Sequence, residues 1–179
     1  MGDDLKPSGL DFGAIIAFVA PGFLALLGLS YHVPLVASWL NLAAAVDQGI
    51  GVFLFVLLAS ISLGVLVSGV RALLVDTLYL SIFPAKYRVP RPDIDWSKVD
   101  ADKLAAVISL KDYHYRYYQF YSNTAVSLCL LWFSNYLANK AAWSRPLLIG
   151  LIATLFALLW SAWDAFSRYG RGINQVFKP

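Results

Sequence analysis

Four runs of uncharged, mostly apolar residues dominate this chain, and each is about long enough to cross a lipid bilayer as a helix. A spanning helix needs roughly 20 apolar residues, because the hydrocarbon core is about 30 Å thick. Hydrophobic residues make up 59% of the chain and charged residues 14%, which is more apolar surface than a soluble domain of this size can bury. The sequence therefore predicts an all-α, multipass membrane helical bundle, a single integral membrane domain with four transmembrane helices at about 12–31, 50–70, 117–139 and 146–164.

Lysine and arginine are unevenly distributed between the segments that separate these spans. The segment 71–116 holds eight of them, and together with the two termini this side of the membrane totals twelve, against two on the other side. Basic residues that flank spans stay in the cytoplasm. We therefore expect a cell-membrane protein with both termini and the segment 71–116 in the cytoplasm.

Shorter helices are expected outside the spans. Residues 35–46 are uncharged but too few to cross, so they predict an external interfacial helix. The helix of the second span can run on beyond Arg71 into the cytoplasm until Pro84, because residues 72–83 contain no glycine or proline. Ser97 and Asp100 have the spacing of a capping box, which predicts the start of a small amphipathic cytoplasmic helix.

Small residues recur at four-residue spacing on the first two spans. Such rows let two helix backbones approach closely. Pro21 also removes a backbone hydrogen bond, so a kink is expected in the first span. Because these rows offer more close-packing faces than one bundle needs, we expect a homo-oligomer. The rows contain Gly13, Ala17 and Pro21 in the first span and Ser60, Gly64 and Ser68 in the second.

The stretch 111–121 is the densest feature of the chain, since seven of its eleven residues are aromatic when His114 is included. Tyrosines at the headgroup level of a membrane helix are ordinary anchors, but here they circle the helix, and those facing inward need hydrogen-bond partners. Asp112 precedes Arg116 by four residues, the favourable order for a helical ion pair. The candidate binding surface at the cytoplasmic interface comprises Asp76, Asp112, Tyr113, His114, Arg116, Tyr117 and Tyr118.

Residue types that carry metal or redox chemistry are sparse and scattered. His32 and His114 fall on opposite sides of the predicted bilayer, so they cannot share a metal ion. A single cysteine, Cys129, excludes an internal disulfide and a cysteine-ligated zinc site. Two Asp-x-Asp pairs begin at Asp93 and Asp100, but compensating lysines and arginines surround them, as is typical of a solvated loop. We therefore expect no metal, no cofactor and no assigned catalytic residue.

No motif names a reaction, and several classes of function are disfavoured. A net charge of +3 is too small and dispersed for nucleic-acid binding. The middle of each span lacks Asp, Glu, Lys, Arg and His, unlike most ion-coupled transporters. One remaining interpretation is a non-enzymatic protein that self-associates and acts as a pore-type or membrane-perturbing effector or a scaffold, controlled through its cytoplasmic face by a possible cytoplasmic protein partner. The alternative is a lipid-headgroup-modifying enzyme or a lipid-binding protein at the inner leaflet, in direct contact with membrane lipid.

These two interpretations predict different architectures. A ring of copies around a central channel would favour the first. A cavity within each copy that contains His114 and Arg116 would favour the second.

Overall fold

A computed structural model of the chain describes residues 12–40, 49–82, 99–139 and 144–177. Within these ranges the secondary structure is helical and contains no strand, which confirms the all-α class. The elements in chain order are α1 (Phe12–Ser30), α2 (Pro34–Trp39), α3 (Ile50–Arg71), a first π-turn (Ala72–Asp76), α4 (Thr77–Ile82), α5 (Ala101–Leu110), a second π-turn (Lys111–Tyr115), α6 (Arg116–Asn139) and α7 (Arg145–Val176).

Two helical stretches are long and apolar enough to cross a membrane: Ile50–Asp76, with 27 residues, and Arg145–Val176, with 32. The prediction of four spans is therefore confirmed only in part. In α1 the apolar helical stretch is the shorter Ile16–Ser30. The 24 residues of α6 are sufficient in length, but their tyrosine, serine and asparagine side chains make that helix less apolar.

The outward faces of the two long helices are themselves apolar. Only 17% of the most apolar 18-residue stretch of Ile50–Asp76 is buried, and only 6% of that of Arg145–Val176. A core helix of a soluble protein would bury most of such a stretch. Large side chains that project outward include Phe53, Leu58, Ile149 and Phe156.

Helices α1 and α3 pack with their backbones in direct contact. A methyl group added at Gly22 would overlap the carbonyl oxygen of Ser60, and one added at Gly64 would overlap the carbonyl oxygen of Phe18. Glycine is required at both positions because any Cβ atom would push the helices apart. The row on the second span thus contacts α1 of the same chain through Ser60 and Gly64, while contact between copies stays a prediction.

Pro21 lies within α1, and the helix continues through it. Proline has no N–H group, so the carbonyl of Ala17, four residues earlier, loses its helical donor. The side chain of Asn123 on α6 replaces that donor, since its Nδ2 donates to the Ala17 carbonyl oxygen at 3.0 Å. Ala17 and Asn123 are 1% and 0% exposed. A neighbouring helix therefore satisfies the carbonyl that the proline leaves open, as happens for prolines inside membrane helices.

The shorter elements agree with the predictions in part. The second span continues beyond Arg71 to Ile82 as expected. On the opposite side, α2 has only six residues, and most of the predicted interfacial segment 35–46 lies outside the described residues. The predicted cap at Ser97 also lies outside them. Helix α5 instead begins at Ala101, where the Asp100 side chain accepts a hydrogen bond from the Lys103 N–H at 2.7 Å, so the predicted start was three residues too early.

Candidate functional site

Two π-turns lie at one end of the bundle, one in each of the helices that meet there. In an α-helix, residues three or four apart share a face. In the wider π-turn the backbone hydrogen bonds join residues five apart, so residues with that spacing come close together. Arg71 directly precedes the first π-turn and Asp76, five residues later, is its last residue; Arg71 Nη1 lies 3.0 Å from Asp76 Oδ1. The wider turn therefore makes an ion pair that a regular helix would not form.

This ion pair is the centre of a buried network. The Arg71 side chain is only 4% exposed. Tyr118 of α6 donates its hydroxyl hydrogen bond to the same Asp76 oxygen, and the Arg71 guanidinium carbon lies 5.0 Å from the centre of the Tyr118 ring. A buried cation needs such partners because its desolvation is costly. The network joins the end of α3 to the start of α6.

Tyr79 extends the network to α7. Its hydroxyl donates to the Leu159 carbonyl oxygen at 2.8 Å. Burial, together with the nearby Asp76 carboxylate, raises the pKa of Tyr79 to about 12, so the hydroxyl keeps its proton and remains a donor at neutral pH. The Tyr79 ring also packs 6.1 Å from Tyr118 and 6.4 Å from Phe166, centre to centre.

An open cavity of about 330 Å³ lies between α7 and residues of the second π-turn and α6 that face away from the buried network. We call this cavity the α6–α7 groove. One wall carries tyrosines at four-residue spacing, which places them on one helix face. The other wall carries α7 residues at the same spacing. The groove is lined by Tyr113, His114, Tyr117, Tyr121, Trp160, Ser161, Asp164, Ala165 and Arg168.

The two walls run antiparallel, so the groove has a polar end and an apolar end. The ring pairs Tyr115–Tyr169 and Tyr118–Phe166 set this register, with centres 5.3 Å and 4.9 Å apart. His114 and Arg168 therefore lie towards one end, and Trp160 lies towards the other.

An ion pair marks the polar end of the groove. Arg168 Nε lies 2.9 Å from Asp164 Oδ2, and both side chains are about half exposed, at 58% and 46%. A partner molecule therefore meets a cation and an anion side by side.

At its other end the groove continues onto an exposed apolar stripe of α7. Trp160 packs against Phe156 with ring centres 6.2 Å apart. One and two further turns along the same face, Ile152 and Ile149 are 59% and 67% exposed. The polar pair, the aromatic walls and the aliphatic stripe thus form one continuous surface along α7.

The predicted binding residues separate onto different surfaces. Tyr113, His114 and Tyr117 line the groove, whereas Asp76 and Tyr118 belong to the buried network. The expected helical ion pair forms, with Arg116 Nη2 3.0 Å from Asp112 Oδ1, but neither residue lines the groove. The tyrosines that circle the helix therefore serve two different sides of it.

Several residues of these surfaces, among them Arg71, Asp164, Arg168 and Trp160, were not among the predicted site residues. From the sequence, Arg71 was identified only as one of the basic residues that flank the second span. Asp164 and Arg168 do carry a signal, because an acid four residues before a base at the end of an apolar run favours an exposed helical pair. Trp160 resembles any interfacial anchor. Their four-residue spacing places these last three on one face of α7, but only the register between α6 and α7 shows that this face lines the groove.

The groove is lined by aromatic rings, an ion pair and His114. No group of three or more His, Cys, Asp or Glu residues within the described part of the chain is placed to hold a metal ion. Comparison with known proteins found no family model, curated protein or solved structure that matches this chain. The function must therefore be argued from the groove itself.

Proposed function

We propose that this protein is a non-enzymatic, four-span membrane protein with both termini in the cytoplasm, and that it binds a membrane lipid of the inner leaflet in the α6–α7 groove. One observation carries the proposal: the polar end of the groove, its aromatic walls and the exposed apolar stripe of α7 are continuous. A phospholipid has the same sequence of a charged headgroup, an interfacial region and an apolar chain.

The length of α7 supports the placement of the groove at a membrane surface. With 32 residues, α7 is about 48 Å long at roughly 1.5 Å per residue, which exceeds the hydrocarbon core. That core is crossed by about 20 residues, so a span that starts at Pro146 ends near Ala165. Asp164 and Arg168 then lie at headgroup level, and Trp160 lies just inside, where aromatic side chains concentrate.

The outward apolar faces and the charge asymmetry support the membrane setting. The stretch Ile50–Asp76 is mostly unburied within the chain, and lipid is the solvent that suits such a surface. Twelve basic residues on the predicted cytoplasmic side, against two on the other, support the orientation. Four spans and this orientation are part of the proposal.

Of the two interpretations from the sequence, the groove favours lipid binding. The sequence analysis expected a cavity that contains both His114 and Arg116; the groove is open and is lined by His114 but not by Arg116, and its cation is Arg168. A headgroup-modifying enzyme would need a nucleophile activated by a base, and we assign the lining residues His114, Ser161 and Asp164 a binding role instead. The pore or effector role, self-association and a cytoplasmic protein partner stay predictions.

Native mass spectrometry of the purified protein tests the proposal by counting phospholipids retained after extraction from the membrane. Trp160→Ala removes an aromatic wall of the groove and should reduce retained lipid several-fold. Phe133→Ala is the matched control, because Phe133 on α6 is similarly exposed, at 52% against 58%, but does not line the groove. Equal retention by both variants and the unmodified protein would refute lipid binding in the groove.

A further inference from the structure

We propose, on the basis of the lipid-binding function above, that the groove selects a zwitterionic phospholipid with a primary ammonium group, phosphatidylethanolamine, over anionic phospholipids. The inference follows from the charges and rings at the polar end of the groove, which complement a phosphate and an ammonium at the same time.

The ion pair supplies one charge of each sign. Arg168 and Asp164 lie one helical turn apart, with Nε and Oδ2 separated by 2.9 Å. An arginine side chain has five N–H donors, and the bond to Asp164 uses one of them. The remaining donors suit the oxygens of a phosphate, which arginine binds in paired fashion. The Asp164 carboxylate retains further acceptor sites for an ammonium group.

Anionic headgroups fit this pair less well. The phosphate of phosphatidylglycerol would meet Arg168, but it would bring no cation for Asp164, whose carboxylate would then repel it. Like charges brought together at an interface lower the affinity for the wrong partner. The ion pair therefore discriminates by charge pattern rather than by net charge.

The aromatic walls add a second preference for a cation. Tyr117 and Tyr121 stack with ring centres 6.3 Å apart and an angle of 26° between their planes. Tyr113 and Tyr117 are exposed, at 69% and 54%. A cation within about 6 Å of a ring centre is attracted by the negative face of the ring. An ammonium bound to Asp164 lies in the groove that these rings line.

A primary ammonium is favoured over the quaternary ammonium of phosphatidylcholine. The ammonium of an ethanolamine headgroup can donate an N–H hydrogen bond to the Asp164 carboxylate, whereas a choline headgroup has no N–H group to donate. A hydrogen bond to a charged group contributes more than one between neutral groups, so we expect selectivity of about tenfold.

The experiment reconstitutes the protein in vesicles of phosphatidylethanolamine, phosphatidylglycerol and phosphatidylcholine in equal parts with identical acyl chains. Native mass spectrometry then measures which lipids remain bound. We expect phosphatidylethanolamine to be enriched about tenfold over the other two. Asp164→Asn should abolish that enrichment, and Arg168→Gln should reduce retention of all three lipids. Arg171→Gln is the control, because Arg171 lies outside the groove lining and its Nε donates to the Ser167 carbonyl oxygen.

The outcomes separate the two proposals. Equal binding of the three lipids that is still lost in Trp160→Ala would overturn the headgroup inference and leave lipid binding intact. Retention that is unchanged in Trp160→Ala would overturn both. An Arg171→Gln effect as large as that of Arg168→Gln would assign the preference to general surface charge and overturn the inference. Unchanged size-exclusion profiles and helical circular dichroism confirm that the variants fold.

Discussion

The hydrogen bond from Asn123 to the carbonyl that Pro21 leaves open should be a measurable part of the stability of the bundle. Asn123→Ala deletes the donor at 3.0 Å and leaves the Ala17 carbonyl without it. Interhelical hydrogen bonds in membranes contribute roughly 0.6–2 kcal/mol, and an unpaired buried acceptor adds a penalty of about 1–3 kcal/mol. Removal of Asn123 Oδ1, which has no hydrogen-bond partner within the described residues, offsets about 1 kcal/mol. The expected loss is therefore about 1–4 kcal/mol.

The proline provides the decisive comparison. Pro21→Ala restores an N–H group that can donate to the Ala17 carbonyl within α1. In that background Asn123→Ala should cost about 1 kcal/mol less than in the unmodified protein. Pro21→Ala also leaves a small void, because Pro21 is fully buried, but this contribution cancels in the double-mutant cycle.

The assay is an unfolding titration with sodium dodecyl sulfate from mild detergent micelles, followed by the fluorescence of the six tryptophans. Asn139→Ala, at the exposed end of α6, is the matched control and should change stability by no more than about 0.5 kcal/mol. Additivity of the two substitutions within about 0.3–0.5 kcal/mol would refute the idea that Asn123 compensates for the proline.

Four further predictions follow from contacts described above. Gly64→Ala should destabilise by about 1–3 kcal/mol because its methyl group meets the Phe18 carbonyl, while Gly69→Ala has open space and should be neutral or stabilising in the same titration. Asp76→Asn should lower the free energy of unfolding by about 3 kcal/mol, since it leaves the buried Arg71 cation unpaired. Asp112→Asn breaks a more exposed ion pair and should lower the free energy of unfolding by less than about 1 kcal/mol. A cysteine at Gly49 should react with an impermeant thiol reagent from outside intact cells and one at Lys103 should not; the reverse pattern would contradict the topology. Because the pKa of Tyr79 is raised, the contribution of its hydroxyl group to the free energy of unfolding should be complete below pH 10.0 and should be lost progressively as the pH rises through about 12. Tyr79→Phe should remove this part of the loss of stability at alkaline pH. A pH profile identical to that of the unmodified protein would contradict this role of Tyr79.

The helical elements were largely predictable from the sequence because they follow from local properties. Uncharged runs of sufficient length produced the spans of α3 and α7, and the absence of glycine and proline beyond Arg71 predicted the continuation to Ile82. The pairing of Asp112 with Arg116 depends only on their spacing along one helix. The start of α5 was missed because Ser97 and Asp100 are both suitable caps, and local rules do not rank them.

The site was predictable only in its composition. The aromatic stretch was recognisable, but which of its side chains face the groove depends on the register of α6 against α7, a contact between residues about 50 positions apart (for example, Tyr115 and Tyr169). Neither π-turn has a sequence signal. Each takes up one residue more than a regular helical turn, and contacts such as the Arg71–Asp76 pair stabilise the wider turn. The burial of Arg71 was hidden for the same reason.

The first π-turn sets the rotational phase between the two parts of one long helix. Each residue of an α-helix turns the chain by about 100°, so a regular helix through this region would rotate every later side chain relative to α3. The residue accommodated by the π-turn lets α3 keep its glycine row against α1 while Tyr79 points at the Leu159 carbonyl of α7. A single-residue deletion within α3 would leave the hydrophobic length of the span almost unchanged, yet it would rotate the residues that follow by about 100° and put the two halves out of phase. Insertions and deletions within α3 should therefore be far less tolerated than substitutions on the apolar outer surface of the same helix.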